Sequence, residues 1–536
     1  MVNTSIDSCE LVDDEKVAVS VGTTMNKVYE RSSFSAAAGT PVRELNILNM
    51  LRRLDIHSQV KWPTFDPQDV RPGIVHLGCG AFHRAHQNVF TQEAIEAAGR
   101  GNREWGVVGV SFRTSEVQRL LAPQDHLYTV LEHGQDEVHA QVVGVLRGVL
   151  FAREQQQRVI AAIRNPKTKI VTLTVTASGY QPCPSGPSGS EPVGRGEGPP
   201  DAIGLLVCAL AAIRAKGGRP PVLMSCDNMP RNGLQLRDAL VQRASLSSDS
   251  LAKWIASNVQ FPCSVVDRIV PVPTAADSTE ASGLLGLRDR ATVSTEPFRQ
   301  WVIEEFEGPR PSWELAGAKF VNDASAWECS KLNLLNGTHM AIAYLGMLAG
   351  LDTVASFVCD PLFGSYTSRL MHDEQIPTIP KSDHDLQSYS RQLLERWRNV
   401  SVVHRLQRIG RNGSEKLKAR LLGSLASNIA AGRPAPCTVL AVAAWICCAA
   451  RLVPGSSAVE DPAGERLQQL ALHAAGDTGR FVQLLAGLPE IFGEELPQLA
   501  VFQDDLGRAV EDLRVRGARA AIASVMSGSR ELVASL

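Results

Sequence analysis

The chain carries almost no net charge for its length: its 536 residues sum to −2. It also lacks a long basic stripe or an aromatic RNA-binding motif, so nucleic acid is not an expected partner. Paired metal spacings are missing. The eleven cysteines are scattered, no second Cys/His pair stands at ligand distance, and no metal site is expected. Cys447 and Cys448 fall in an apolar helical run, where neighbouring side chains point to different faces. They read as reduced core residues of a cytosolic protein. The longest apolar run, Val439 to Ala450, stops at Arg451 and is too short to span a bilayer. No apolar signal segment opens the chain. Ile6 to Lys16 instead holds five acidic residues, unlike an Arg-rich transit sequence. No repeat is visible, which argues against a solenoid scaffold. A cytoplasmic protein without membrane contact is therefore expected, long enough for two or three domains; a monomer or weak oligomer is the expected state, on which the sequence itself does not report.

What is present divides the chain in two. Residues 1–44 are weakly periodic and rich in small polar residues, and are expected to form a disordered extension. Leu45 to Leu54 reads as a short amphipathic helix. Strand patterns then alternate with helix patterns. Strands are expected at 74–78, 105–112, 128–131, 141–146, 169–176 and 221–225, with helices at 84–98, 115–121 and 153–164. That alternation indicates an α/β, doubly wound domain over 45–320. Pro182 to Pro200 reads as a Pro/Gly/Ser-rich surface loop. Beyond residue 320 helical patterns dominate, at 328–349, 384–397, 415–430, 438–452, 465–475, 478–487 and 502–516. Residues 321–536 are therefore expected to form a mostly α-helical second domain.

The most informative stretch lies at the junction. Lys331-Leu332-Asn333-Leu334-Leu335-Asn336-Gly337-Thr338-His339 follows Glu328 by three residues. On an α-helix, at about 100° per residue, Glu328, Lys331, Asn336 and His339 share an arc of roughly 140°. A lysine among apolar neighbours loses hydration, which lowers its pKa towards a value useful for proton abstraction. A structural Glu328–Lys331 ion pair is the competing explanation of the same pattern. Near the other end of the chain, Gly78-Cys79-Gly80-Ala81-Phe82-His83 follows the first strand and opens a helix. This is an anion cradle of the Rossmann type, with His83 where the third glycine of the fingerprint would stand. The end of the next strand should meet an adenosine ribose. There Glu116 is a candidate for its hydroxyls and Arg113 for the adenine or a 2′-phosphate, so NAD is expected and NADP is not excluded.

Several segments together resemble one family, in family order from about residue 45 to the C-terminus. Gly73 to Gln87 resembles the first motif of the mannitol dehydrogenase family of polyol-specific long-chain dehydrogenases. Ser225-Cys226-Asp227-Asn228-Met229-Pro230-Arg231-Asn232-Gly233 is similar to its second signature and Val266-Asp267-Arg268-Ile269-Val270-Pro271 to its third. Lys331 to His339 resembles its catalytic helix, and Gln407-Arg408-Ile409 with Gly413-Ser414-Glu415-Lys416 a substrate-site segment. The resemblance implies zinc-independent hydride transfer between NAD(H) and a secondary alcohol, with D-mannitol and D-fructose as the first expected pair. It implies Lys331 as general acid/base, Asn228 and Asn336 as donors to the reacting oxygen, and His339 and Asp267 as orienting groups. Glu328 would relay the lysine's proton, and Arg408 and Lys416 would bind substrate hydroxyls. The chemistry makes the same demand: a base on the hydroxyl and donors for the developing alkoxide. The alternatives are a uronate reductase acting on fructuronate or tagaturonate, an arabinitol dehydrogenase, or a cofactor-binding protein without catalysis. A uronate would demand another cation in the cleft. The chain departs from the family pattern at Thr176 to Tyr180, which lacks an acidic residue after the threonine, at Asn412, which replaces an aspartate, and in its long N-terminal extension.

Overall fold

The computed structural model describes residues 43–52, 57–180, 201–401, 403–454 and 459–533. The disordered extension expected over 1–44 and the surface loop expected over 182–200 lie, but for residues 43 and 44, outside them.

Five parallel strands form the principal sheet: β1 (Pro72–Leu77), β2 (Gly106–Ser111), β3 (Leu146–Phe151), β4 (Ile170–Leu173) and β5 (Val222–Ser225), in the order β3-β2-β1-β4-β5. Val75 of β1 stands opposite Val108 of β2 and Val171 of β4. The strands are apolar almost throughout because both sheet faces are covered. Ile74 packs with Val89 and Phe90 on one face, while Val75 and Leu77 pack with Val159, Leu206 and Leu236 on the other. The period-2 alternation of a strand thus feeds two cores rather than a core and a solvated face. The doubly wound expectation holds, and the strand order reverses at β1. This reversal opens a crevice beyond the carboxyl ends of β1 and β4, where such sheets bind ligands.

One expected strand is corrected. Residues 141–146 are not a single element: Val138–Val143 pairs antiparallel with Tyr128–His133, and β3 begins separately at Leu146. Gly144 lies between them, its N–H donating to Gln92 Oε1 at 2.7 Å. A smaller sheet joins Ser264–Asp267, Gln300–Glu304 and Lys319–Val321.

From Ser325 onward the chain is helical. Pro436–Ala449 is buried from Cys437 to Ala449, as a helix apolar on all sides must be. It packs against Thr338–Leu348 and Ala500–Val533. The last of these is broken at Gly517, which has φ 75°. Among the described residues no helix is long and apolar enough to cross a membrane.

Candidate active site

The helix expected over 328–349 proves to be three segments. Ser325–Ser330 and Thr338–Leu348 are α-helical, but Lys331–Gly337 between them is a π-helix. Wider turns change the angular phase, so the α-helical arc computed from the sequence does not describe the face that forms. Lys331 and Glu328 are nevertheless brought to one cavity with Asn228, which follows β5. Lys331 is 9 % exposed, and its Nζ donates to Asn228 Oδ1 at 2.8 Å. That bond leaves the Asn228 amide NH2 free to point elsewhere. Burial lowers the Lys331 pKa to about 8, with Asp267 opposing the shift and Arg420 and Arg396 adding to it.

Glu328 and Lys331 line one small cavity together with Asp227 and Asn228. Glu328 does not form an ion pair with Lys331; its Oε2 accepts from the backbone N–H of Arg231 at 2.7 Å. Burial raises its pKa. On the same polar run, two buried side-chain nitrogens have no hydrogen-bond partner: Asn336 Nδ2 and His339 Nε2. Unsatisfied buried donors are costly, and native proteins keep them where a ligand completes the bond. His339 is held well below the usual imidazole range by burial, aided by His404, Arg396 and Arg420. It is therefore neutral.

Asp267 ends the strand Ser264–Asp267 and is 3 % exposed. Its carboxylate accepts from Arg396 Nη1 at 2.8 Å, Arg396 Nη2 at 3.2 Å and the Tyr389 hydroxyl at 3.3 Å. Burial alone would raise its pKa, but Arg396 and then Lys331 bring it below the ordinary value. Asp267 is thus committed to Arg396 and reaches the lysine through its charge. Arg268, next to it in the chain, pairs with Glu132 rather than with Asp267. Arg408 is exposed, on the short helix Leu406–Gly410. Lys416 Nζ donates to the Arg411 carbonyl.

The second site is the crevice at the carboxyl ends of β1, β2 and β4, about 410 Å³ in volume. Gly78, Gly80, Arg113, Thr174 and Thr176 are among its lining residues. Gly78 has φ 104°, and a Cβ there would sit 2.1 Å from the Thr174 carbonyl oxygen, so only glycine makes this turn. At Gly80 a Cβ would meet nothing closer than Gly78 O at 3.8 Å. The helix Ala81–Ala85 that follows has no side-chain cap, leaving the first-turn amides of Ala81 and Phe82 for an anion. These residues fit a dinucleotide pyrophosphate.

Two expectations here need correction. The His83 ring does not face the crevice. It is buried and stacked on His76, with centroids 3.4 Å apart, and burial holds its pKa well below the usual range. Arg84 and His86 are likewise turned inwards, to the carbonyls of Ala291 and Gln300. Glu116 is exposed at the start of the helix Glu116–Leu121 and does not line the crevice. The missing acid after Thr176 is supplied by a neighbouring strand: Asp227 accepts from Val175 N, Thr176 N and the Tyr180 hydroxyl, the last at 2.6 Å.

The sequence reading overlooked Arg396, Tyr389 and Arg420. Arg396 lies in an amphipathic helix among other charges, and nothing local marks it as buried. Arg420 did carry a signal, since it stands four residues after Lys416, the helical spacing that puts two like charges side by side. Among the described residues no three or more His, Cys, Asp or Glu side chains cluster as a metal site requires.

Comparison with known proteins agrees with this geometry. The mannitol dehydrogenase Rossmann domain matches residues 72–315, and the mannitol dehydrogenase C-terminal domain matches residues 323–514. The chain is 36% identical over 489 residues to the D-mannonate oxidoreductase of Escherichia coli, covering 88% of this chain and 99% of that protein. It is 36% identical over 480 residues to a mannitol 2-dehydrogenase of Aspergillus oryzae, covering 85% and 93% respectively. The Pseudomonas fluorescens mannitol 2-dehydrogenase, solved as a ternary complex with NAD and D-mannitol, superposes with a TM-score of 0.77 at 33% identity, covering 90% of this chain and 99% of that one.

Proposed function

The chain belongs to the mannitol dehydrogenase family, and on that premise we propose that it interconverts a secondary alcohol of an open-chain, polyhydroxylated substrate and the corresponding ketone, using NAD(H) and Lys331 as general acid/base. The observation that carries this reading is the buried Lys331 amine, 2.8 Å from Asn228 Oδ1, on a segment that also carries two unpartnered buried nitrogens, Asn336 Nδ2 and His339 Nε2.

The residues that would hold NAD are the Gly78 to Phe82 turn and Arg113, and when bound its nicotinamide accepts or returns the hydride of the carbinol carbon. The chain's own groups manage the proton and the charge. In alcohol oxidation neutral Lys331 takes the hydroxyl proton. Its pKa near 8 leaves a useful fraction of free amine near neutrality, which an ordinary lysine would not. The NH2 of Asn228 and Asn336 Nδ2 donate to the oxygen as it becomes negative, and neutral His339 supports it without forming an ion pair. Arg396 keeps the Asp267 carboxylate ionised near the lysine, whose ammonium form that carboxylate favours. Glu328, lining the same small cavity as Lys331, offers the proton a way out.

D-mannitol, the ligand of the Pseudomonas complex, is the first substrate to assay, with D-fructose as its ketone. D-mannonate, named for the Escherichia coli relative, adds a carboxylate to the same kind of carbon chain. A panel of polyols, ketoses and uronates with NAD and NADP tests the reading by the change in nicotinamide absorbance. Turnover of one class is expected. Cofactor binding with no turnover of any of them would leave the inactive binding protein as the correct reading.

A further inference from the structure

We propose that Arg420 is the specificity-determining residue of this site, and that it selects a substrate carrying a carboxylate, a sugar acid rather than an uncharged sugar alcohol. The inference rests on the proposed dehydrogenase reading and names its substrate class.

The site holds several cations, and they differ in how they are occupied. Arg396 is fully used: it bonds both Asp267 and Glu296 and lies over the Phe298 ring at 3.9 Å. Arg268 is used by Glu132 and by the carbonyls of Ala85 and Glu296. Lys416 is bonded to the Arg411 carbonyl. Arg408 is exposed.

Arg420 is different. It is half-buried, and no carboxylate among the described residues pairs with it. Taking a guanidinium out of water without a counter-charge is costly, and proteins seldom do so without a ligand to complete it. Its place in the fold brings it to the catalytic segment. Arg420 lies in a second π-helix, Lys418–Leu422, which packs against the Lys331–Gly337 π-helix. The approach is so close that a Cβ on Gly337 would fall 2.3 Å from the Arg420 carbonyl oxygen. That approach sets Arg420 against the turn that carries Asn336, and its charge is felt at Lys331, His339 and Lys416.

An uncharged hexitol leaves this cation unanswered. A carboxylate on the substrate chain would pair with it, and the planar guanidinium is suited to holding that group by two parallel bonds. The neighbouring cation Lys416 reinforces the positive potential that an anionic substrate would meet. The two named relatives are equally similar to this chain and differ in this feature of their substrates, so the charge of the cleft distinguishes them where identity does not.

The test compares D-fructuronate and D-fructose as oxidants of NADH, in the full-length protein and in Arg420→Met and Arg420→Lys. NADH binding, followed by its fluorescence, reports that each variant is folded. The unaltered protein is expected to reduce the uronate with the higher kcat/KM. In Arg420→Met the ratio of the two kcat/KM values should fall about 100-fold, mainly through KM for the uronate, and Arg420→Lys should restore part of it. A protein that prefers fructose, or a ratio that does not change in Arg420→Met, overturns the inference while leaving the dehydrogenase reading intact. NADH binding without oxidation by either compound overturns both.

Discussion

Lys331 concentrates the chemistry of this protein in one amine, and its neighbours determine the pH at which it works. Oxidation requires the neutral base, so kcat/KM for the alcohol should rise with pH and level off above about 8, where the buried amine has lost its proton. Reduction requires the ammonium and should fall through the same region. A pH profile in each direction, with chemistry rate-limiting, checks both limbs, and parallel profiles in the two directions would refute the lysine assignment. Lys331→Ala should reduce turnover by about 10²–10⁴-fold, the range of a general acid or base, while NADH still binds in the separate crevice at the strand ends. Asn228→Ala should cost about 10²-fold in kcat, as loss of an oxyanion donor does. It also removes the acceptor of the Lys331 bond, so its pH profile should move as well. The residues of this segment were legible in the sequence because an amine, an amide and an imidazole interrupted an otherwise apolar helix. Arg396 was not, because an arginine on an amphipathic helix looks the same whether it meets water or a carboxylate 129 residues away.

At the scale of elements, the paired π-helices are the feature that a periodicity argument cannot supply. Lys331–Gly337 inserts wide turns between two α-helical segments, and Lys418–Leu422 opens the helix that continues as Gly423–Ala430; such turns are frequent at functional sites. Their contact is made by backbone at Gly337. Gly337→Ala tests it with a useful sign. In an ordinary exposed helix the change would stabilise the protein by up to about 1 kcal/mol. Here the added methyl meets the Arg420 carbonyl at 2.3 Å, and overpacking should destabilise by about 1–3 kcal/mol. A lower melting temperature together with a lower kcat is the expected result, since both Asn336 and Arg420 stand on the displaced turns. Gly413 is a similar case in a loop, where a Cβ would meet the Tyr344 hydroxyl at 2.2 Å. That requirement for a small residue explains the turn better than the Asn412 substitution before it, whose φ of 53° asparagine tolerates.

For the whole molecule, the Asp267–Arg396–Glu296 cluster joins the strand region to the helical region. Arg396→Leu would leave two buried carboxylates facing each other. Loss of one partner from a buried ion pair costs about 3–5 kcal/mol, so the melting temperature should fall clearly. The charge of Arg396 also lowers the Lys331 pKa. Whatever variant protein remains folded should therefore have its oxidation profile displaced to higher pH, which a purely structural arginine would not cause.

The amino-acid order by itself determined the alternation of buried strands and helices, the glycine turn after β1 and the polar run at Lys331. Each is a local matter of period, steric freedom or composition. Tertiary structure decided the rest: which histidines turned inwards at the helix start, which carboxylate answered which arginine, and which guanidinium stayed without an answer. The physical reason is that burial and counter-charge are properties of distant partners brought together by the fold. The sign and size of an electrostatic effect depend on that meeting, and no stretch of sequence contains it.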